Sequence, residues 1–222
     1  MTAQAGYLLA RIQARHGQRL DENQWRMLSS AHSFNRFLSQ ARETSLGPWL
    51  EGIDPIGEIH HLEWSLRDAF RRHVVEVVSW APPAWRAAGS WLTTLPDLEA
   101  MLHRRAWGMT HPWLQWLDDQ THPLPPPGTD PFAWWLEQWR LLWPKDPGAH
   151  AQLLELIRYL QTALTRNNVT WQELNEGVTL RFRRHAMHPT VLFSHLLLTA
   201  MDLNRLRGEL SRRWLFARDD AP

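Results

Sequence analysis

There is no cysteine in the 222 residues of this chain. That excludes disulfides and thiolate metal ligation, and it gives no sign of an oxidising compartment. Lysine is almost missing too: of 24 basic residues only Lys145 is lysine, and the rest are arginine. No apolar run approaches the roughly eighteen residues a membrane-spanning helix needs. The longest, 191–201, is interrupted by Ser194, His195 and Thr199. The opening MTAQAGYLLARIQARHG places no basic stretch before its apolar residues and reaches Arg11 too early for a secretory leader. The expected location is therefore the cytoplasm, with peripheral attachment to the inner membrane through a membrane complex kept open. A net charge of +1 gives no overall attraction to nucleic acid or anionic lipid. A Gly-rich phosphate loop, a G-x-S-x-G elbow, H-E-x-x-H and a dinucleotide fingerprint are all missing. Nothing nominates a catalytic residue or a cofactor, and the chain reads as a non-enzyme.

What is there is helix, arginine and tryptophan. Arginine suits bidentate interface contacts, although a GC-rich genome accounts for its dominance more simply. Fifteen tryptophans remain an excess, and large aromatics dominate both cores and interface hot spots. Leu8, Leu9 and Ile12 begin an amphipathic helix that Gly17 can end. Asp21 is a suitable N-cap for a helix carrying Trp25, Leu28, Phe34, Phe37 and Leu38. Asp54-Pro55 reads as the next helix start, a capping carboxylate before a proline at the first helical position. Ile56, Ile59, Leu62, Leu66, Phe70, Val74 and Val77 then form one buried stripe, with Arg67, Arg71 and Arg72 on other faces. Ala81-Pro82-Pro83 ends it, and shorter helices follow near 84–93 and from Pro96.

Residues 121–131, THPLPPPGTDP, are a stiff linker between an N-terminal half (1–120) and a C-terminal half (132–222), which are free to pack as a single domain. Asp130-Pro131 opens a Trp-rich helix, and Leu153, Leu156, Ile157, Leu160 and Leu164 mark another. Thr170 with Glu173 is a capping box, and Val169 with Leu174 the matching hydrophobic staple. Only 178–183, VTLRFR, alternates like a strand, and a long helix runs on from Pro189. The fold class is all-α, a multi-helix bundle.

Each constellation with chemistry has a plainer reading beside it. Glu58 and His61 have the E-x-x-H spacing of di-iron bundles, but the second E-x-x-H and the further carboxylates are missing, so no metal is expected. His185, His188 and His195 gather near the last helix and read as boundary or core histidines, although haem ligation stays open. Arg181, Arg183 and Arg184 are a basic cluster better suited to a protein partner than to phosphate. The tryptophans Trp113, Trp116, Trp134, Trp135, Trp139 and Trp143 crowd one region. Its polar face has too little basic charge for a lipid interface. Trp134 lies about 100° around the helix from Trp135, so it joins Trp113, Trp116 and the three arginines as a candidate partner-binding residue.

Trp91-Leu92-Thr93-Thr94-Leu95-Pro96-Asp97-Leu98 aligns loosely with 195–203, which ends in Asp202-Leu203. Each stretch is soon followed by an Arg-Arg pair and preceded by an amphipathic helix, the pattern of two related helical repeats. Tyr7-Leu8-Leu9-Ala10-Arg11 resembles the Tyr-x-x-Ala-Arg helix opening members of the V-type ATPase subunit d family, which extends to archaeal and bacterial enzymes. Leu62-Glu63-Trp64-Ser65-Leu66 and Pro96-Asp97-Leu98 are similar to the family's Glu-x-x-Leu and Asp-Leu repeat. The stretch from His188-Pro189 to Asp202-Leu203-Asn204-Arg205-Leu206-Arg207 is similar to its ending. The resemblance implies a shortened, two-repeat relative: a non-catalytic helical socket that joins a rotor stalk to a membrane ring and has protein subunits as partners. Two other readings stand beside it, a helix-bundle metal or cofactor protein and an assembly or maturation factor.

Overall fold

The computed structural model describes residues 3–54, 57–98, 125–126, 128–165 and 169–216. Among them are nine α-helices and no strand: α1 (Ala3–Gly17), α2 (Glu22–Ser29), α3 (Phe34–Arg42), α4 (Ile59–Ser79), α5 (Pro83–Ser90), α6 (Pro131–Leu141), α7 (Pro147–Thr165), α8 (Trp171–Arg184) and α9 (Val191–Phe216). Two 3₁₀ segments, Gly47–Leu50 and Trp91–Asp97, follow α3 and α5.

Local chemistry sets most of these boundaries. Asp21 accepts from Gln24 N while the Gln24 side chain accepts from Asp21 N, a full capping box. Ser33 caps α3, so the apolar run expected as one helix is two, α2 and α3. Asp130 accepts from the amides of Phe132 and Ala133. Thr170 and Glu173 exchange both bonds of their box. That box carries α8 straight through the strand-like residues 178–183. Leu174, Val178 and Phe182 are buried at spacings of four while Leu180 is 55% exposed, so the helical period prevails over the alternation.

The Asp54-Pro55 start is the other correction. α4 begins at Ile59 behind Glu58, whose backbone is extended and whose side chain makes no cap bond. Gly57 N donates to Asp54 O, closing a turn, and Trp214 Nε1 donates to Gly57 O. That tertiary bond takes up a carbonyl the first helical turn would otherwise need. Arg71, expected on an outer face, is buried.

α9 is the axis of the bundle, with α1, α3, α4 and α8 packed on it. Its first turns, Val191 to Leu196, are buried on every side, and the buried stripe then narrows to Met201, Leu203, Leu206, Leu210 and Arg213. Each fully buried leucine contributes about 1.5–3 kcal/mol relative to exposure. α5 comes close to this axis through Gly89, where a Cβ would stand 2.6 Å from Val78 Cγ2 and 3.4 Å from Leu192 Cδ2.

The tryptophans join sequence-distant segments into the one hydrophobic core. Trp135 Nε1 donates to Thr94 Oγ1 (2.7 Å), Trp139 Nε1 to Ala88 O (2.9 Å), and Trp91 Nε1 to Trp135 O (3.2 Å). The Trp139 ring lies 5.1 Å from Phe193 and 5.3 Å from Trp143. α6 is thereby fastened to α5, to the 3₁₀ segment Trp91–Asp97 and to α9, and residues on both sides of the proline-rich stretch share that core.

Candidate functional site: a buried histidine seam

Where α1 lies across α4 and α9, the apolar packing gives way to polar side chains. α4 brings His73, one turn beyond Phe70 on its buried face, and α9 brings His195 from its fully enclosed start. The two Nε2 atoms are 3.2 Å apart, joining residues 122 positions apart in the chain. His73 is 8% and His195 2% exposed. Beside them the side chain of Arg15 donates to Glu76 (2.8 Å), and Arg19 forks onto Asp202 through Nε (2.6 Å) and Nη2 (2.9 Å). The Trp49 ring meets His73 edge-on at 4.9 Å. A third histidine, His16 of α1, stacks on Phe182 of α8 at 4.0 Å. His73, His195, Arg15, Arg19, Asp202 and Trp49 border a cavity of about 60 Å³ that Thr199 and Ser45 also line. That is room for about two waters.

Burial dominates the electrostatics. It pushes His73 down to about 4, with Arg15 adding to the effect against the opposing pull of Glu76. It likewise pushes His16 down to about 4, helped by Arg19 and Arg183. His195 is held well below the usual imidazole range by burial, and then by His73, His16, Arg19 and Arg15. Asp202 is raised, because burial outweighs its bond from Arg19. All three histidines are neutral at pH 7. His73 Nδ1 faces Glu76 Oε2 at 3.8 Å, which favours a proton on that nitrogen. His195 Nε2–H is then the donor of the pair, and its own Nδ1, which has no hydrogen-bond partner, is a bare lone pair.

Comparison with protein-family models, with curated proteins and with solved structures finds no match to this chain.

The residues nominated from sequence are dispersed. Glu58 and His61 are both exposed at the start of α4, and among the described residues no group of three or more His, Asp or Glu side chains could hold a metal ion. His185 lies 3.4 Å from Glu155, His188 bonds Thr190, and His195 pairs with His73, so these three have separate partners. Trp134 is half-buried and packs on Trp91, with ring centroids 6.2 Å apart. Trp113 and Trp116 lie outside the described residues. Arg181 lies over the Tyr159 ring at 3.8 Å and bonds Gly177 O, Arg184 bonds Glu155, and Arg183 is exposed.

Sequence reading missed His73, His16 and Arg19. The available signal was the place of His73 between Phe70 and Val77 in the apolar stripe of α4, where an exposed side chain does not fit.

Each of the two aligned Asp-Leu pairs holds a guanidinium, Asp97-Leu98 at the end of the 3₁₀ segment Trp91–Asp97 and Asp202-Leu203 inside α9. Asp97 is buried and accepts from Arg71 of the preceding α4 at 2.5 Å, and Asp202 accepts from Arg19 at 2.6 Å. In each, the neighbouring leucine, Leu98 or Leu203, is a core residue.

Proposed function

We propose that the chain is a non-catalytic coupling component of a multiprotein assembly, acting as a helical socket like that of the V-type ATPase subunit d family. The observation that carries this reading is the matched pair of aspartates. Asp97-Leu98, at the end of the 3₁₀ segment after α5, and Asp202-Leu203, inside α9, align by sequence, and each aspartate is held by a guanidinium from another part of the bundle. A guanidinium-held aspartate before a core leucine, found twice, supports two related helical units, the pattern on which the resemblance rests. No described helix is long and apolar enough to cross a membrane, and the proposed attachment to the membrane ring is peripheral. The contact surface includes α8 and the turn after it, where Arg183 and Arg184 are exposed beside Leu180 (55%) and Met187 (72%). Arginine flanked by exposed apolar side chains is the composition of a protein contact.

The test is affinity capture of the tagged full chain from its native host, with quantitative mass spectrometry. Stoichiometric recovery of rotary-ATPase stalk or membrane-ring proteins is expected, and the double variant Arg183→Glu/Arg184→Glu should lose most of it. Capture of a metalloenzyme complex, or of no ATPase component, overturns the reading.

A further inference from the structure

We propose that the seam beneath α1 is an acid-released latch: proton uptake by His16, His73 and His195 frees α1 from the helices on which it lies.

The seam offers an imidazolium little compensation for its charge. The centroids of the His73 and His195 rings are 5.4 Å apart. A proton on His73 removes the Nε2 lone pair that accepts their one hydrogen bond. A proton on the bare Nδ1 of His195 leaves that bond in place but adds a buried cation beside Arg15 and Arg19. The carboxylates within reach are already engaged. Glu76 of α4 takes Arg15 and Arg11 on Oε1 and turns Oε2 toward His73 Nδ1 at 3.8 Å, and Asp202 of α9 takes Arg19. The other charges facing the seam are those same guanidinia on and after α1, together with Arg183 of α8, which lowers His16. The 3₁₀ segment Gly47–Leu50 contributes only the uncharged Trp49. Each added proton therefore meets more cations than anions, and the one carboxylate facing His73 is already shared by two guanidinia.

When α1 lifts, the imidazoles meet water and return to an ordinary value near 6.5; closed, His16 and His73 stay near 4. The closed state is thus favoured above about pH 6.5, and this advantage is lost as the pH falls toward 4. Asp202, raised in the closed state, works the other way and offsets part of the loss. Linkage gives about a tenfold rise in the opening equilibrium between pH 7.5 and 5.5 for each of His73 and His195, and less for the more exposed His16. Besides its ion pairs to Glu76 and the Arg11 guanidinium 4.6 Å over the Trp80 ring, α1 has uncharged side-chain bonds from Gln4 to Ala81 O and from Gln13 to Ala186 O.

The test is amide hydrogen exchange on the full chain at the two pH values, corrected for intrinsic rates. Residues 8–15 should open about 100-fold more at pH 5.5 than at 7.5, while α7 changes less than about threefold. The double variant His73→Gln/His195→Gln should lose most of that response. If it does not fold, His16→Gln alone should reduce the response severalfold. Three results would each overturn the latch: unchanged protection of α1, opening of α1 and α7 by the same factor, or an undiminished response in the variants.

Discussion

Arg213 Nε donates to Ala31 O at 2.8 Å, joining the last turns of α9 to the end of α2 across 182 residues. The same guanidinium donates to Ser29 O (2.8 Å) and to Glu209, and it lies 4.3 Å over the Phe37 ring. A cation at the C-terminal end of α2 takes up carbonyls that the helix itself cannot satisfy. Arg213→Met keeps the apolar stem and strands those oxygens. It should cost about 2–4 kcal/mol, read as a lower urea midpoint with an unchanged slope. A loss under about 0.5 kcal/mol, the scatter of surface substitutions, would show that water replaces the guanidinium.

Gly89→Ala should destabilise by about 1–3 kcal/mol, the usual cost of overpacking, because its Cβ would press on Val78 Cγ2. Val78→Ala in the same chain opens space at that point and should return part of the loss. Thermal unfolding of the two single variants and the double variant measures this coupling, and strict additivity would refute the clash.

Two neighbouring tryptophans should behave differently. Trp139 is 5% exposed and bonded through Nε1, so Trp139→Ala should cost about 3–5 kcal/mol. Trp134 is half-buried against Trp91, so Trp134→Ala should cost roughly 1–2 kcal/mol. Denaturant titration that ranks them equally would contradict the burial pattern of α6.

Asp97→Asn should be worse than the double change Asp97→Leu/Arg71→Met. The single variant takes the carboxylate charge from the buried Arg71 guanidinium, a loss of about 3–5 kcal/mol, whereas the double variant removes both charges of that pair and leaves Arg67, 3.9 Å from Asp97, held by Glu63 and Pro96 O. Equal losses in urea unfolding would mean that solvent reaches the pair.

Global stability should fall as the pH drops below about 6.5. His73, neutral when folded and near 4, binds no proton in the window where the unfolded chain does. It alone should remove about 1.4 kcal/mol between pH 7.5 and 5.5. His16 should remove less, being more open to solvent screening. Urea unfolding across that range, repeated on His73→Gln, checks it. A flat profile in the parent protein would disprove the neutral assignment.

What could be read from the sequence were features whose cause lies within one turn of helix. The box at Thr170 and Glu173 and the cap at Asp130 form where their spacing requires. The failures are tertiary. Trp214, 157 residues away, takes the Gly57 carbonyl and moves the start of α4. Arg71 looked like a solvent-facing residue until Asp97 gave it a reason to be buried. No periodicity could place His73 against His195, because spacing describes one element at a time and their partnership belongs to two. Trp134 shows the same limit: its angle on α6 is correct, but Trp91 comes to meet it.

The bond from Arg19 to Asp202 spans 183 residues, and this has a consequence for how the protein is made. At roughly 5–20 residues per second on the ribosome, α1 would wait on the order of 10–40 s for the segment it settles against. During that interval Leu8, Leu9 and Ile12 lack the α9 surface that covers them in the finished bundle. The nascent chain is then a natural client for a holding chaperone until α9 has been synthesised.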